Sequence, residues 1–337
     1  WTASGSVIAT SIDAGVIINS DMTTTGSSKD LAIYGHASTG YVVLSGDRSL
    51  TSTGKMFVRA KTITTAAIAI VATGDVSMTA TDTWTATAGN ITITTSGAAT
   101  IDGHVTTATS GDITVRSTNA LTITDMKTIT SAGGLGIVSG SIASGTATVT
   151  TADEVKVTGA WIAAGSLTVA STTQGITLYD DVVTTQGNLT LISNAATGVL
   201  VLNGTRRLTA SGAMSLRGSF ASTAAATINA TRELNVKMTD AWSASAGTLS
   251  FITDNAMFVD AHVRTTTSGD IAVHSVGPLT LANAASFTSA ETATLTCGSI
   301  VSSAATVAAT KAIAVTGACT ATGAISVTSH EAGVTLN

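Results

Sequence analysis

Apolar and polar residues alternate along this chain in short segments, and the segments recur every seven to ten residues. Examples are residues 91–94 (ITIT), 113–115 (ITV) and 121–124 (LTIT), in which apolar side chains take alternate positions and threonine lies between them. A period of two is the pattern of a half-buried β-strand. Glycine, serine, asparagine and aspartate fill the intervals, as turns require. The pattern therefore predicts many short strands joined by tight corners.

Groups of three such strands form larger units that begin with glycine, as at residues 89–110, 111–132, 247–268 and 269–290. A fixed period of about 20 residues with short strands is typical of a solenoid, in which one unit makes one coil. We predict an all-β fold, a parallel β-helix of about 22 residues per coil, with roughly fifteen coils in the 337 residues. A β-sandwich, which also has short strands at spacings of about 8–12 residues, is the alternative fold.

The chain also repeats itself over a much longer distance. Residues 187–218 follow the pattern of residues 29–60 at a distance of 158, as Arg206 after Arg48 illustrates. Upstream of about residue 30 the distance becomes 160. The resulting division is copy one at residues 1–160, copy two at 161–318 and the start of a third copy at 319–337, all in one continuous solenoid.

Neither end of the sequence contains a recognisable cap. Solenoids normally cover their first and last coils, because an exposed strand edge can pair with another chain. This sequence begins and stops within the strand pattern, partway through a copy. We therefore expect either a piece of a longer tandem array or a chain that stacks end to end with copies of itself, and both would form a filament.

Composition narrows the class of protein further. Charged residues make up 10% of the chain, against about 25% in average globular domains. Long apolar runs such as residues 66–72 (AAIAIVA) are shorter than the roughly 20 residues of a membrane-spanning helix, so we expect no membrane span. The basic residues are few and scattered and the aromatic residues make up 4%, so nucleic-acid binding is not expected. No pattern indicates a cofactor.

The stretch GNLTLISNAATGVLVLNGTRRLTASGAMSLRG (187–218), with the similar stretch at 165–191, resembles the repeats of filamentous-haemagglutinin-type passengers. These are large secreted bacterial surface proteins. The resemblance covers nearly the whole chain and implies a right-handed parallel β-helix that is exported and acts in adhesion or as a surface fibre. We therefore expect a structural protein of an extracellular or cell-surface fibre. An adhesin that binds glycans or cell surfaces is the alternative.

An enzyme that cleaves polysaccharides is a further alternative, and it would need carboxylates that converge on a cleft. The candidates are Asp180 with Asp181, Asp153 with Glu154, Asp102 with His104, and Asp260 with His262. Neighbouring residues of a strand point to opposite faces, and one aspartate with one histidine makes an incomplete metal site. The Asp–His pair also occurs in both copies, which favours a scaffold. We expect no catalytic residue, no metal site and no enzymatic activity.

Ice binding is another alternative, because a flat β-helical face with regular Thr-x-Thr columns could bind ice. The face that contains Thr92 and Thr114 continues with Gly136, and its neighbouring column is interrupted by Arg116. A plane two threonines wide is therefore not expected on this face, and ice binding is the weaker interpretation.

Cys297 and Cys319 are the two cysteines of the chain, too few for a disulfide framework. Their separation along the sequence equals one predicted coil. They could therefore stack and form a weak bridge, or remain buried free thiols. Trp84 and Trp242 are expected to fill the core or a corner.

Overall fold

The strands of this chain pair in parallel with strands one turn before and one turn after them. The computed structural model describes residues 1–194, 196–282 and 284–337, and none of these residues is helical. They form two units, Trp1–Ile162 and Ala163–Asn337. Each unit is a right-handed parallel β-solenoid, with about 16 turns in the two units and roughly 21 residues per turn. The predicted fold is confirmed, and the sandwich alternative is wrong. The division into sequence copies stays a prediction.

The strands are short, and corners separate them. In the first unit they are β1 (Thr2–Ala3), β2 (Val7–Thr10), β3 (Val16–Ile18), β4 (Met22–Thr24), β5 (Leu31–Tyr34), β6 (Tyr41–Ser52), β7 (Met56–Ala72), β8 (Val76–Ala86), β9 (Ile91–Thr95), β10 (Ala99–Thr107), β11 (Ile113–Ile123), β12 (Lys127–Ser131), β13 (Leu135–Ser144), β14 (Ala147–Thr151) and β15 (Val155–Ala163). The longer members, such as β7 and β11, continue round a corner and contribute to two faces.

The second unit follows the same plan. Its strands are β16 (Leu167–Ser171), β17 (Ile176–Leu178), β18 (Val182–Thr184), β19 (Leu189–Ile192), β20 (Val199–Ala210), β21 (Met214–Gly218), β22 (Phe220–Ala230), β23 (Leu234–Ala244), β24 (Leu249–Thr253), β25 (Met257–Thr265), β26 (Ile271–Leu281), β27 (Ser286–Ser289), β28 (Ala293–Ser302), β29 (Ala305–Ala309), β30 (Ile313–Ala321), β31 (Ile325–Ser329) and β32 (Val334–Leu336).

Three ladders of apolar side chains fill the interior of the first unit, one behind each face. We name each face after one inward residue of its ladder. The Trp84 face has Ile63, Trp84, Val105, Ile129 and Val149, the Ile113 face has Ile68, Ile91, Ile113 and Leu135, and the Leu121 face has Met56, Val76, Ala99, Leu121 and Ile142. All of these side chains are buried. Burial of a large apolar side chain contributes about 1.5–3 kcal/mol, so the ladders are the main source of stability.

Turn length varies at the corners and not along the faces. On the Ile113 face, the register partners Ile91, Ile113 and Leu135 follow each other at the predicted period. On the Trp84 face, the register partners Val105 and Ile129 are further apart in the sequence than this period. The reason is that the corner before Ile129 has two more residues than the corner before Val105. The predicted period is therefore an average over corners of different length.

Buried hydroxyl groups close the corners. The side chains of Ser117, Ser139 and Thr151 are buried, and each donates a hydrogen bond to the carbonyl two residues ahead, over 3.0, 2.7 and 2.7 Å respectively. A buried hydroxyl without a partner is costly, so the nearby carbonyl satisfies the side chain while the hydrogen bond stabilises the bend. This explains why serine and threonine end so many of the apolar segments.

A second type of hydrogen bond stabilises the corners that contain Gly-Asp or Gly-Asn. Asn90 Oδ1 accepts a hydrogen bond from the backbone N–H of Asp112 over 2.8 Å, and Asp112 Oδ1 accepts one from that of Gly134 over 2.7 Å. Each side chain thus satisfies a backbone group of the next turn. Gly111 precedes this position with a φ of +133°, and a Cβ there would lie 2.3 Å from the carbonyl oxygen of Gly89. Only glycine fits this corner.

The interior of the second unit contains the larger aromatic residues. Trp242 lies in a ladder between Ala221 and Val263, and Phe251 lies in a neighbouring ladder after Ile228. The two rings meet edge to face, with centroids 5.2 Å apart and planes at 88°. Such a pair contributes about 0.5–1.5 kcal/mol beyond the area that it buries.

Candidate functional site

The carboxylates that the sequence offers as candidates do not converge on a cleft. Asp180 and Asp181 lie in the corner between β17 and β18, and Asp181 Oδ1 accepts a hydrogen bond of 2.8 Å from the backbone N–H of Arg207. Asp153 and Glu154 lie in the corner before β15. Within the described ranges, no three histidine, cysteine, aspartate or glutamate side chains come together to hold a metal ion.

The Asp102–His104 pair lies on the outer side of β10 and bonds to the next turn. His104 Nδ1 accepts a hydrogen bond of 3.2 Å from the backbone N–H of Thr128, and Asp102 Oδ1 accepts one of 2.7 Å from the hydroxyl of Thr124. Lys127 Nζ lies 3.4 Å from the same Asp102 oxygen. These contacts tie neighbouring turns together at a corner, and the aspartate charge is compensated locally.

The Asp260–His262 pair of the second unit has similar contacts, with one difference. His262 Nδ1 lies 2.9 Å from the hydroxyl of Ser286, and Asp260 Oδ2 lies 3.7 Å from Lys237 Nζ. Lys237 belongs to the preceding turn, whereas Lys127 of the first unit belongs to the following turn. The side chains of Lys237, Asp260 and His262 line a surface pocket of about 310 Å³. Each aspartate therefore has a lysine partner, which is consistent with a structural contact.

The two cysteines have different environments, and both are free thiols. Cys297 is buried, and burial, with a smaller effect of the nearby Cys319, raises the pKa of its thiol to about 11. Cys319 is exposed, and its register partner in the preceding turn is Ile300 and not Cys297, because this turn is shorter than the predicted period. A bridge between the two thiols stays a prediction.

Asp75, Asp125 and Lys311 also have a shifted pKa, each through a contact at a corner. The backbone N–H of Ala98 and the ion pair with Lys55 lower the pKa of the half-buried Asp75. The backbone N–H of Thr146 lowers the pKa of Asp125. The hydrogen bond to Glu291 raises the pKa of Lys311. All three contacts stabilise the charged form of the group.

Trp84 and Trp242 are core residues, each at most 1% exposed. Their indole N–H groups have no hydrogen-bond partner in the described residues. Neither ring is therefore available to stack against a sugar. No helix in the described parts of the chain is long and apolar enough to cross a membrane.

The Ile113 face has the interrupted pattern that the sequence indicates. Thr92, Thr114 and Gly136 are register partners in one outward column, and Thr94 pairs with Arg116 in the other. A plane two threonines wide does not form here.

The Trp84 face of the first unit does carry two adjacent columns of threonine. Its strands present residues 62–64 (TIT), 83–85 (TWT), 104–106 (HVT), 128–130 (TIT) and 148–150 (TVT). The middle residue of each segment points inward and the two flanking residues point outward. Nine threonines and His104 thus form an array over five consecutive turns, which we call the threonine face.

A threonine plane on the Trp84 face is not predicted from the sequence. The signal was present, since every segment has the form Thr-apolar-Thr except at His104. However, the distance from one segment to the next varies, because the corners between them differ in length. Reading the sequence at a fixed period therefore does not align these threonines. The strand register of the structure is needed to place them in columns.

No protein-family model, curated protein or solved structure matches this chain. The parallel β-solenoid is consistent with β-helical repeat proteins as a class. The resemblance to filamentous-haemagglutinin-type passengers rests on the sequence pattern and stays a prediction.

Proposed function

We propose that this chain is a structural segment of an extracellular or cell-surface fibre and that it assembles end to end with copies of itself. The observation that carries the proposal is the parallel ladder, which recurs turn after turn in each unit. In a solenoid each turn contacts only its neighbours, so the array can be lengthened without a change of plan. The long sequence repeat and the resemblance to exported passengers support the same conclusion.

In this proposal the chain is not an enzyme. The support is that its charged side chains serve contacts between neighbouring residues and turns. Lys55 pairs with Asp75 over 3.3 Å, and Lys156 pairs with Glu154 over 2.7 Å. Carboxylates used in this way hold corners together and are not arranged around a substrate.

Adhesion through glycans is the alternative role. A glycan-binding surface commonly presents aromatic rings, which have an apolar body and a polar edge. Trp84, Trp161 and Trp242 are at most 1% exposed, whereas Trp1 in the first turn is 77% exposed and Tyr41 is 40% exposed. The burial of three of the four tryptophans favours the structural role over the glycan-binding one.

Electron microscopy of the purified chain over a series of concentrations tests the proposal. End-to-end assembly predicts thin filaments that lengthen with concentration, and analytical ultracentrifugation should give a matching rise in mass. Leu336, which is 64% exposed in the last strand, would be covered by such a contact. Leu336→Lys should therefore shorten the filaments, because an unpaired charge would be buried at each junction.

Val276→Lys is the matched control, since Val276 is 61% exposed but lies at a corner within the unit, away from its last strand. It should leave filament length unchanged. A chain that stays monomeric at all concentrations would contradict end-to-end assembly, and binding on a glycan array by that monomer would support the adhesin instead.

A further inference from the structure

The threonine face of the first unit has hydroxyl groups that the protein does not use. Thr128 Oγ1 lies 2.8 Å from His104 Nδ1. The hydroxyls of the other eight threonines bond to no other protein group in the described parts of the chain. All nine side chains are half-buried or exposed on the outer surface. Each of these eight hydroxyls is therefore a donor and acceptor that is free to bind water.

The face is also regular in two directions. Along the solenoid axis, register partners such as Thr64, Thr85 and Thr106 lie on adjacent strands, about 4.8 Å apart. Across the face, residues i and i+2 of one strand lie about 6.7 Å apart. On the prism face of hexagonal ice, oxygen atoms also repeat along two perpendicular directions, at distances similar to these two.

Threonine is suited to hold this pattern fixed. Its β-branched side chain restricts χ1, so the hydroxyl and methyl groups of a strand residue have few available arrangements. Beneath the columns, Ile63, Trp84, Val105 and Ile129 are at most 1% exposed and anchor each strand from inside. None of the ten positions holds lysine, arginine, aspartate or glutamate, so no strongly hydrated charge interrupts the array.

From this geometry we propose that the threonine face binds ice. The hydroxyls would take the place of lattice waters, and the methyl groups would hold water in the gaps between the columns. Ordering each water has an entropic cost, which the hydrogen bonds that it makes to the protein offset. This inference is independent of the fibre proposal, because one unit contains the whole surface.

The second unit provides an internal contrast. The residues 158 positions after the threonine face are Phe220 with Ser222, Ala241 with Ser243, His262 with Arg264, Ser286 with Thr288, and Thr306 with Ala308. They follow the same register around Trp242. Only two of these ten residues are threonine. The ladder is retained but the array is not, so a strand scaffold of this type does not itself require the nine threonines.

A crystalline polysaccharide is the other regular surface that a flat face could cover. Sugar rings favour exposed aromatic side chains, and the ten positions include none. Tyr41, which is 40% exposed, is the register partner of Thr62 at the border of the face. The uniform threonine columns therefore favour ice.

The test is adsorption of the full chain to polycrystalline ice grown slowly from dilute solution. We expect the chain to be enriched in the ice fraction and to slow ice recrystallisation. Thr85→Lys places a flexible charge in the middle of the array, and enrichment should be lost. Ser243→Lys introduces the same side chain at the corresponding position of the second unit, and enrichment should be retained. Circular dichroism and thermal unfolding verify that both variants are folded.

Exclusion of the unmodified chain from ice would overturn the proposal, as would retention by folded Thr85→Lys or an equal loss in both variants. Microcrystalline chitin is a parallel probe. Binding to chitin that Thr85→Lys abolishes, with no enrichment in ice, would assign the face to a polysaccharide and also overturn the proposal. If Thr85→Lys unfolds, Thr85→Tyr repeats the test, since a strand tolerates tyrosine while its ring breaks the plane.

Discussion

The indole Nε1 of Trp161 donates a hydrogen bond of 3.0 Å to the hydroxyl of Ser144 inside the first unit. Both side chains are buried, at 0% and 7% exposure. The indole N–H groups of Trp84 and Trp242 are also buried but have no partner in the described residues. The same side chain therefore occurs in this core with and without a satisfied donor, and the difference can be measured.

Ser144→Ala should lower the free energy of unfolding by about 1–3 kcal/mol, because it leaves a buried N–H without an acceptor. Trp161→Phe removes the donor, so adding Ser144→Ala to it should have a much smaller effect. Urea denaturation of the four proteins of this cycle measures the coupling between the two residues. Ser141→Ala, at an exposed position nearby, is the control. Additive effects of the two changes would show that the hydrogen bond does not stabilise the fold.

Gly111→Ala should destabilise the solenoid by about 1–3 kcal/mol, because alanine rarely adopts a positive φ and its Cβ would meet the carbonyl oxygen of Gly89. Gly136→Ala is the matched control. The nearest atom to a Cβ there is Thr114 Oγ1 at 3.9 Å, so alanine fits and should be neutral or stabilising by up to about 1 kcal/mol. Thermal unfolding of both variants compares the two glycines. Equal melting temperatures would show that the Gly111 corner is not strained by a side chain.

The pKa of Asp75 predicts a loss of stability in acid. The backbone N–H of Ala98 and the ion pair with Lys55 lower it below its ordinary value of 3.8. A lowered pKa in the folded state means that the stabilisation is present above the ordinary value and is lost as the pH falls through the folded value. The Asp75 side chain is 49% exposed and screened by solvent, so its contribution is below about 1 kcal/mol. Asp75→Asn should therefore flatten the dependence of unfolding on pH below about 4, measured by urea denaturation. Asp13→Asn, an exposed carboxyl in another corner, is the control, and an identical slope in both variants would argue against this role of Asp75.

Cys297 should react slowly with iodoacetamide in the native state at pH 8, because burial raises the pKa of its thiol to about 11 and only the thiolate reacts. Cys319 is exposed and should react first. Mass spectrometry of peptides after timed alkylation distinguishes the two positions. In denaturant the two rates should become similar, which provides the control. Rapid native alkylation of Cys297 would show that its turn opens readily.

The sequence indicates the parts of the fold that depend on local signals. Alternating apolar residues and Gly-Asp corners predict the strands and the direction of each side chain, since both follow from the backbone within a few residues. Asp112 illustrates this, because its side chain bonds to the turn directly above it. The period of the coils follows from counting such corners, and the structure confirms it as an average.

The register between turns is harder to predict from the sequence, because it depends on how many residues each corner contains. Met126 adopts a φ of +56° in the longer corner, where no glycine marks the bend. Cys319 aligns with Ile300 and not with Cys297, because the turn between them is shorter than the predicted period. The sequence does not predict the threonine face for the same reason. Columns that cross corners of different length can be followed only when the pairing is known.

The longer corner before Ile129 has a consequence for how such a chain can change. It contains two more residues than the corner one turn earlier, and yet Ile123 and Ile129 keep their partners Ile101 and Val105. Met126 at its tip is 74% exposed. New loops, epitopes or whole domains could therefore be grafted at this point while the hydrophobic stacking on either side stays intact. The bends are the positions at which this scaffold can acquire new binding activities, and the straight segments between them preserve its shape.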